Sequence, residues 1–231
     1  MEARPNSLNG VPIPYGLQTS ELEALVESNP RERWAALIAL GHDPSSEAVA
    51  ALTRAARHAD PHIRRAGIEA LAFHVRGREA GQTVVDGLED VSMTVVRTAC
   101  ETAAALGLQT AHSQVLQLLR DPEPATRQAA IRALGSLWRQ EDFAIVLGLF
   151  LGERDAATRK EAAWILRNQA TTGTWKQLFD ICRTDDVHRH RLWACELAGQ
   201  YGELDILPAL SRDVRYELSG PVAELKADRR R

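Results

Sequence analysis

The chain has 231 residues, of which 45% are apolar and 26% are charged, as is ordinary for a folded globular protein. The formal net charge of −3 and the pI of about 6.2 give no overall field that would favour nucleic acid or a membrane surface. The first residues lack the apolar stretch of a signal peptide, and no run approaches the roughly 18 apolar residues of a membrane span. Three scattered cysteines are too few for a disulfide framework. We therefore expect a protein of the reducing cytoplasm.

Residues 1–18 form the first segment in chain order. Their prolines and glycines, as in "GVPIPYG", disfavour a helix, and we expect a flexible N-terminal arm or a docked extended segment. Residues 19–213 form the main folded domain. Its first element, "SELEALVESN" (20–29), predicts a capping helix with Ser20 as N-cap and Glu23 three residues later.

One phrase recurs along the main domain. It reads "NPRERWAALIAL" at 29–40, "DPHIRRAGIEAL" at 60–71, "EPATRQAAIRAL" at 123–134 and "DAATRKEAAWIL" at 155–166. Its conspicuous arginine falls at Arg33, Arg64, Arg97, Arg127 and Arg159, and then at Arg189 or Arg191. A period near 31 residues indicates stacked supersecondary units. The third copy, "MTVVRTACETAAALG", fits less well because its "ALG" lies two residues late.

Each phrase carries the signals of a helix, and a second apolar segment follows each of them. The candidate N-caps are Asn29, Asp60 and Asp155, and the candidate C-terminal glycines are Gly41, Gly107 and Gly135. The second segments span 45–58, 81–90, 111–121, 142–152, 173–185 and 203–213. β-Branched residues do not alternate with polar residues at a period of two, so no strand is predicted. The sequence therefore predicts an all-α fold, a right-handed α-solenoid of about six helix pairs, with residues 214–231 as a C-terminal cap and basic tail.

The phrase [D/N]-P-x-x-R-x-A-A-x-x-A-L-G, at this period, resembles the short HEAT-like repeat of phycobilin lyases. The resemblance covers roughly residues 29–213 and is specific for the fold. It implies little about function, because HEAT-like arrays serve mostly as scaffolds.

The resemblance also implies a structural role for the recurring arginines. In HEAT-like arrays such arginines form a ladder that pairs with acids at neighbouring turns, a role that suits a planar guanidinium. The ladder residues would be Arg33, Arg64, Arg97, Arg127 and Arg159, and ligand contact by these arginines is the weaker alternative. The acids at the expected turns are Asp60, Asp90, Asp121, Asp155 and Asp185.

Function should depend on the positions that vary between repeats. If the arginine is position 7, positions 5, 8 and 12 share one face of the first helix of each pair, the face that tends to line the concave groove of similar arrays. The candidate partner-binding residues on this face are Arg31, Trp34, Arg65, Arg132, Lys160, Trp164 and Arg189. Tryptophan and arginine are enriched at interface hot spots. Two interpretations stay open for each tryptophan, a partner contact or a cover over the end of the core.

The enzymatic alternatives have weaker support. No phosphate-binding loop or nucleophile elbow occurs, the seven histidines do not predict a metal site, and no "HE" dipeptide marks an iron hydroxylase. Two possibilities remain, a bilin lyase-like chaperone subunit and a HEAT-like alkylpurine DNA glycosylase. For the second, Trp138 and Asp142 have a W-x-x-x-D spacing, but it falls at a turn between helices.

The function that we predict is a non-catalytic scaffold or adaptor that binds another protein through the concave helix face. The basic residues of that face make an acidic segment, or alternatively a phosphate group, a candidate feature of the partner. No cofactor, metal or membrane is expected, and nucleic acid is not an expected partner.

Overall fold

The computed structural model describes residues 6–171, together with 174, 184–187, 189–191 and 193. The chain divides into two compact units, residues 1–138 and 139–231. Two predicted elements, the helix at 203–213 and the cap at 214–231, lie outside the described residues. The predicted helix at 173–185 lies almost entirely outside them. No helix in the described part of the chain combines the length and the hydropathy that a membrane span requires.

A short β-hairpin occupies part of the segment that the sequence predicts to be an arm. Strand β1 (Ser7–Leu8) pairs antiparallel with β2 (Val11–Pro12), so the prediction that no strands occur is wrong here. Asn9 and Gly10 have φ values of 50° and 80°, the conformation that a two-residue hairpin turn of this kind requires. Ile13 is buried and β1 contacts the second helix of the chain. Residues 6–17 thus form a hairpin and a following turn, and the hairpin packs on α2.

The first unit contains eight α-helices in its described residues. They are α1 (Thr19–Ser28), α2 (Arg33–His42), α3 (Ser46–Ala55), α4 (Pro61–Phe73), α5 (Gly81–Asp86), α6 (Met93–Leu106), α7 (His112–Leu118) and α8 (Pro124–Ser136). Short 3-10 turns at Gly77–Ala80, Gly87–Glu89 and Gln109–Ala111 complete the connections. Helices α2, α4, α6 and α8 pack in sequence as one row, while α3 packs on α4 and α7 on α8. This arrangement is an all-α solenoid, as predicted.

The helix boundaries follow local capping chemistry. The Asp60 carboxylate accepts from the His62 N–H at 2.8 Å, and Pro61 begins α4. Helix α1 begins earlier than predicted, because Gln18 is its N-cap instead of Ser20 and the Gln18 N–H donates to Glu21 at 2.8 Å. Gly107 ends α6 in the left-handed conformation, with φ of 62°.

Small residues let the helices of the first unit approach closely. Gly41 lies inside α2 instead of ending it, and a Cβ placed there would lie 3.1 Å from the Ala70 carbonyl oxygen of α4. Gly135 likewise lies inside α8. At Gly67 of α4, a Cβ would lie 2.7 Å from the Ala56 backbone nitrogen. At Gly41 and Gly67 the small residues therefore allow close contact between the backbones of α2, α3 and α4.

In the second unit, helix α9 (Asp142–Gly152) packs against α10 (Ala156–Gln169). Asp155 is the N-cap of α10, as predicted, and its carboxylate accepts from the Thr158 N–H at 2.7 Å. Trp193 lies against Phe150 of α9, with 4.5 Å between the ring centroids.

Candidate protein-interaction face

The recurring arginines hold the turns between repeats. In the most complete example, the Arg64 Nε and Nη2 donate to the two carboxylate oxygens of Asp90 at 2.7 and 2.8 Å. Its Nη1 donates to the carbonyl oxygens of His58 and Ala59. Both side chains are largely buried, and the hydrogen bond from Arg64 lowers the pKa of Asp90 below its usual value. These groups are fully occupied by structural contacts.

The other arginines use the same contacts in part. Arg33 lies 3.8 Å from the Asp60 carboxylate, whereas Arg97 pairs with Glu123 at 3.0 Å instead of the Asp121 carboxylate that the spacing suggested. A set of arginines donates to the backbone carbonyls five and six residues earlier, namely Arg64, Arg127, Arg159 and Arg191. The sixth arginine of the series is therefore Arg191, and Arg189 occupies position 5.

The predicted positions 5, 8 and 12 are accessible in the first two repeats of the first unit but not in the third. On α6 the corresponding residues Val95, Thr98 and Thr102 are buried, and the Thr102 hydroxyl donates to the Ile68 carbonyl at 3.2 Å. Beyond its first turn, α6 exposes Glu101 and Ala105, which lie one position earlier in the repeat than the exposed Glu69 and Phe73 of α4. The predicted register is wrong for this repeat because α6 is rotated by one position against its neighbours. We call the exposed side of α2, α4, α6 and α8 the first-helix face.

The first-helix face contains a groove of about 530 Å³ between α2 and α4. Trp34 and Ile38 of α2 form one wall, and Arg65, Glu69 and Phe73 of α4 form the other. Leu8 of β1 and Asn9 of the hairpin turn contribute a further wall. The structure therefore brings two predicted site residues, Trp34 and Arg65, into one groove.

Phe73 is a groove residue that the sequence analysis missed. Its side chain is 60% exposed at the end of α4, although it is a large aromatic residue. The signal was present in the sequence, because Arg65, Glu69 and Phe73 are spaced by four residues and so share a helix face. An exposed aromatic residue in the same groove as a half-buried tryptophan is typical of an interaction surface.

The charges in the groove are paired with each other. The Arg65 Nη1 donates to Glu69 Oε2 at 2.8 Å, one helical turn away, and both side chains are substantially exposed. This pairing offsets the basic character that the sequence suggested at Arg65. Arg31 and Arg132 are exposed elsewhere in the first unit, and neither lines this groove.

Three of the predicted site residues belong to the second unit. Lys160 and Trp164 are exposed one turn apart on α10, and the Trp164 side chain is 56% exposed. Arg189 donates to the Leu151 carbonyl at 3.4 Å and lies 5.7 Å from the Trp193 ring centroid. Lys160 and Trp164 thus share an exposed surface, whereas the Arg189 guanidinium contacts residues of the second unit.

The geometry of Asp142 does not fit the glycosylase alternative. Its side chain is fully buried at the start of α9, where its carboxylate accepts from the Arg139 N–H at 2.8 Å. A catalytic carboxylate of that class must instead reach a base extruded from the duplex. Among the described residues, no group of three or more histidine, cysteine, aspartate or glutamate side chains could hold a metal ion.

Comparison with known proteins identifies the repeat. A family model described as HEAT repeats matches residues 20–105 and 81–167. No curated protein is significantly similar to the chain.

Among solved structures, the CpcE–CpcF complex of phycocyanin lyase from Nostoc sp. PCC7120 is similar, with a TM-score of 0.58 and 20% identity. The match covers 97% of this chain and 93% of that chain, and at this identity it concerns the fold. A designed armadillo repeat protein in complex with the peptide (KR)4 has a TM-score of 0.49 and 14% identity, over 91% of this chain and 99% of that chain. This second likeness is too low to support an argument.

Proposed function

The chain belongs to the HEAT repeat family, and we propose that it acts as a non-catalytic scaffold that binds a partner protein through its first-helix face. The observation that carries the proposal is the groove between α2 and α4, where Trp34 and Phe73 are available beside a paired arginine and glutamate. Large aromatic side chains contribute most of the energy at many protein interfaces. A groove of this composition suits a protein segment.

The contacts around the groove support a rigid binding surface. The Arg64–Asp90 pair holds the turns on either side of the α4 repeat, and the Gly41–Ala70 contact fixes α2 against α4. A preorganised surface loses little conformational entropy on binding, which favours affinity. A rigid backbone combined with an accessible aromatic groove supports the proposed scaffold role.

The buried and paired groups leave little support for catalysis in the described part of the chain. Asp142 is closed to solvent, and Cys100 is buried with a pKa raised to about 12 by desolvation, far from that of a reactive thiolate. The proposal therefore assigns the chain a binding function, with the partner being another protein.

The proposal is tested by affinity capture from a native lysate, with wild type, Trp34→Ala and Trp164→Ala run in parallel. We expect one protein to be captured by wild type and Trp164→Ala and lost with Trp34→Ala, after circular dichroism has shown equal helix content. Binding must then be reproduced with the two purified proteins. Loss with Trp164→Ala alone would assign binding to α10, and equal capture by all three forms would contradict the proposed face.

A further inference from the structure

We infer that the groove between α2 and α4 takes a short partner segment anchored by bulky, uncharged apolar side chains, and not an acidic segment. This inference rests on the proposed function and specifies the chemistry of its partner. It follows from three features of the groove: its length, the pairing of its charges and the contribution of the N-terminal hairpin.

The length of the groove corresponds to about two helical turns. Its lining on α2 extends from Trp34 to His42, and its lining on α4 extends from Arg65 to Phe73. Eight residues of helix rise by about 12 Å, which matches two turns of a partner helix or three to four residues of an extended segment. The volume of about 530 Å³ admits more than one large side chain.

The floor of the groove is made of small residues. Gly41 of α2 lies directly against Ala70 of α4, and Ala66 lines the groove one turn earlier. Because these side chains are small, the space above the α2–α4 contact is left open to a partner side chain. Trp34 and Phe73 provide apolar surfaces at opposite ends of the groove, one on each helix, so that each can contact a different side chain of the partner segment.

Among the described residues that line the groove, no charged side chain is left unpaired to select an acidic residue. Arg65 and Glu69 are its two charged lining residues other than the histidine, and they bind each other at 2.8 Å. His42 lies edge-on to the Tyr15 ring, with 6.0 Å between the centroids. A partner carboxylate would have to displace Glu69 from Arg65, whereas an uncharged apolar side chain leaves that pair intact.

The hairpin makes the N-terminal segment part of the recognition surface. Leu8 is half-buried and Asn9 is exposed at the hairpin tip, and both line the groove. The hairpin lies outside the helical repeats, so it gives this groove a wall that the other repeats of the first unit lack. Leu8 adds a third apolar side chain, while Asn9 can offer a neutral hydrogen bond to a partner backbone.

The experiment is a selection of random peptides displayed on phage against the full-length chain, followed by affinity measurements on synthetic copies of the enriched peptides. We expect enrichment of peptides with two or more leucine, isoleucine, phenylalanine, tryptophan or methionine residues and no net negative charge. Phe73→Ala and Leu8→Ala should each weaken their binding by about tenfold. Val75→Ala is the matched control, since Val75 is 75% exposed two residues from Phe73 and does not line the groove.

A second readout is the dependence of the affinity on salt. Between low and high sodium chloride concentration the affinity of an apolar anchor should hold or increase, whereas that of an acidic segment should fall. Enrichment of aspartate- and glutamate-rich peptides, or binding that Phe73→Ala leaves unchanged, would overturn the inference. The affinity capture from a native lysate tests the proposed function independently of the peptide selection. A partner captured there without enrichment of apolar peptides overturns the inference alone, and failure of both experiments overturns both.

Discussion

Arg64 and Asp90 join consecutive repeats through two parallel hydrogen bonds of 2.7 and 2.8 Å. The same guanidinium binds two backbone carbonyls at the end of the preceding turn, so one side chain connects the turns at both ends of its repeat unit. The pair is largely buried. The recurring arginine is thus explained here by the geometry of the turns.

Removing either partner of this pair should destabilise the first unit. Arg64→Ala leaves the Asp90 carboxylate without its main donor, and we expect a loss of about 1–3 kcal/mol in the free energy of unfolding. Arg65→Ala is the matched control, because its pair with Glu69 is exposed and should contribute less than about 0.5 kcal/mol. Urea denaturation followed by circular dichroism measures both values. Equal losses for the two variants would contradict the structural role of Arg64.

The Arg64–Asp90 pair also predicts how the free energy of unfolding depends on pH. The hydrogen bond from Arg64 lowers the pKa of Asp90 in the folded state, while in the unfolded state the aspartate pKa is about 3.9. The pair therefore contributes its full stability above about pH 4, and the contribution is lost as the pH falls from there through the folded-state pKa. The difference in unfolding free energy between wild type and Asp90→Asn should be constant from pH 7 to 5 and shrink below pH 4. A difference that grows as the pH falls would contradict a lowered pKa of Asp90 in the folded state.

Two glycine substitutions should have opposite effects on the free energy of unfolding, because one glycine lies where α3 and α4 approach closely and the other lies on an exposed helix surface. Gly67→Ala places a methyl group 2.7 Å from the Ala56 backbone nitrogen, and we expect a loss of about 1–3 kcal/mol. Gly148→Ala, on the exposed side of α9, has no atom within 4 Å of the new methyl group. It should gain about 0.5–1 kcal/mol from helix propensity. The denaturation midpoints of the two variants are compared with that of wild type. If Gly67→Ala raised the midpoint, the close packing of α3 against α4 at this position would be contradicted.

Burial of Cys100 predicts that its thiol is protected in the folded protein. Desolvation raises the pKa of Cys100 to about 12, so almost no thiolate is present at pH 8. In a Cys182→Ser/Cys195→Ser variant, we expect a thiol reagent such as dithiobis(nitrobenzoate) to label Cys100 only as the protein unfolds. Rapid labelling of the native variant would contradict the packing of α6.

The helical repeat could be predicted because its signals are local. Asp60 and Asp155 cap their helices as expected, and Gly107 adopts the left-handed conformation, since each of these roles depends on a few neighbouring residues. The hairpin also had a local signal, the Asn9-Gly10 dipeptide between Leu8 and Val11, which the helical periodicity of the rest of the chain obscured.

The site was predicted only in part because side-chain exposure depends on packing between helices. Trp34 and Arg65 do share a groove, whereas the one-position rotation of α6, which packs between α4 and α8, buries Thr98 and Thr102. The Arg65–Glu69 pair could have been expected from their spacing of four residues, and it changes the predicted basic groove into a neutral one.

The central claim, that a partner protein occupies the groove beside Phe73, is tested most directly by site-specific photo-crosslinking. Benzoylphenylalanine replaces Phe73 in one variant and Val75 in another, and each is irradiated in native lysate before mass spectrometry of the adducts. The account predicts a single protein adduct from position 73 and none from position 75, with the crosslinked residue of the partner lying in an apolar segment. The same adducts from both positions, or none from position 73 while other surface positions of the chain crosslink a partner, would contradict it.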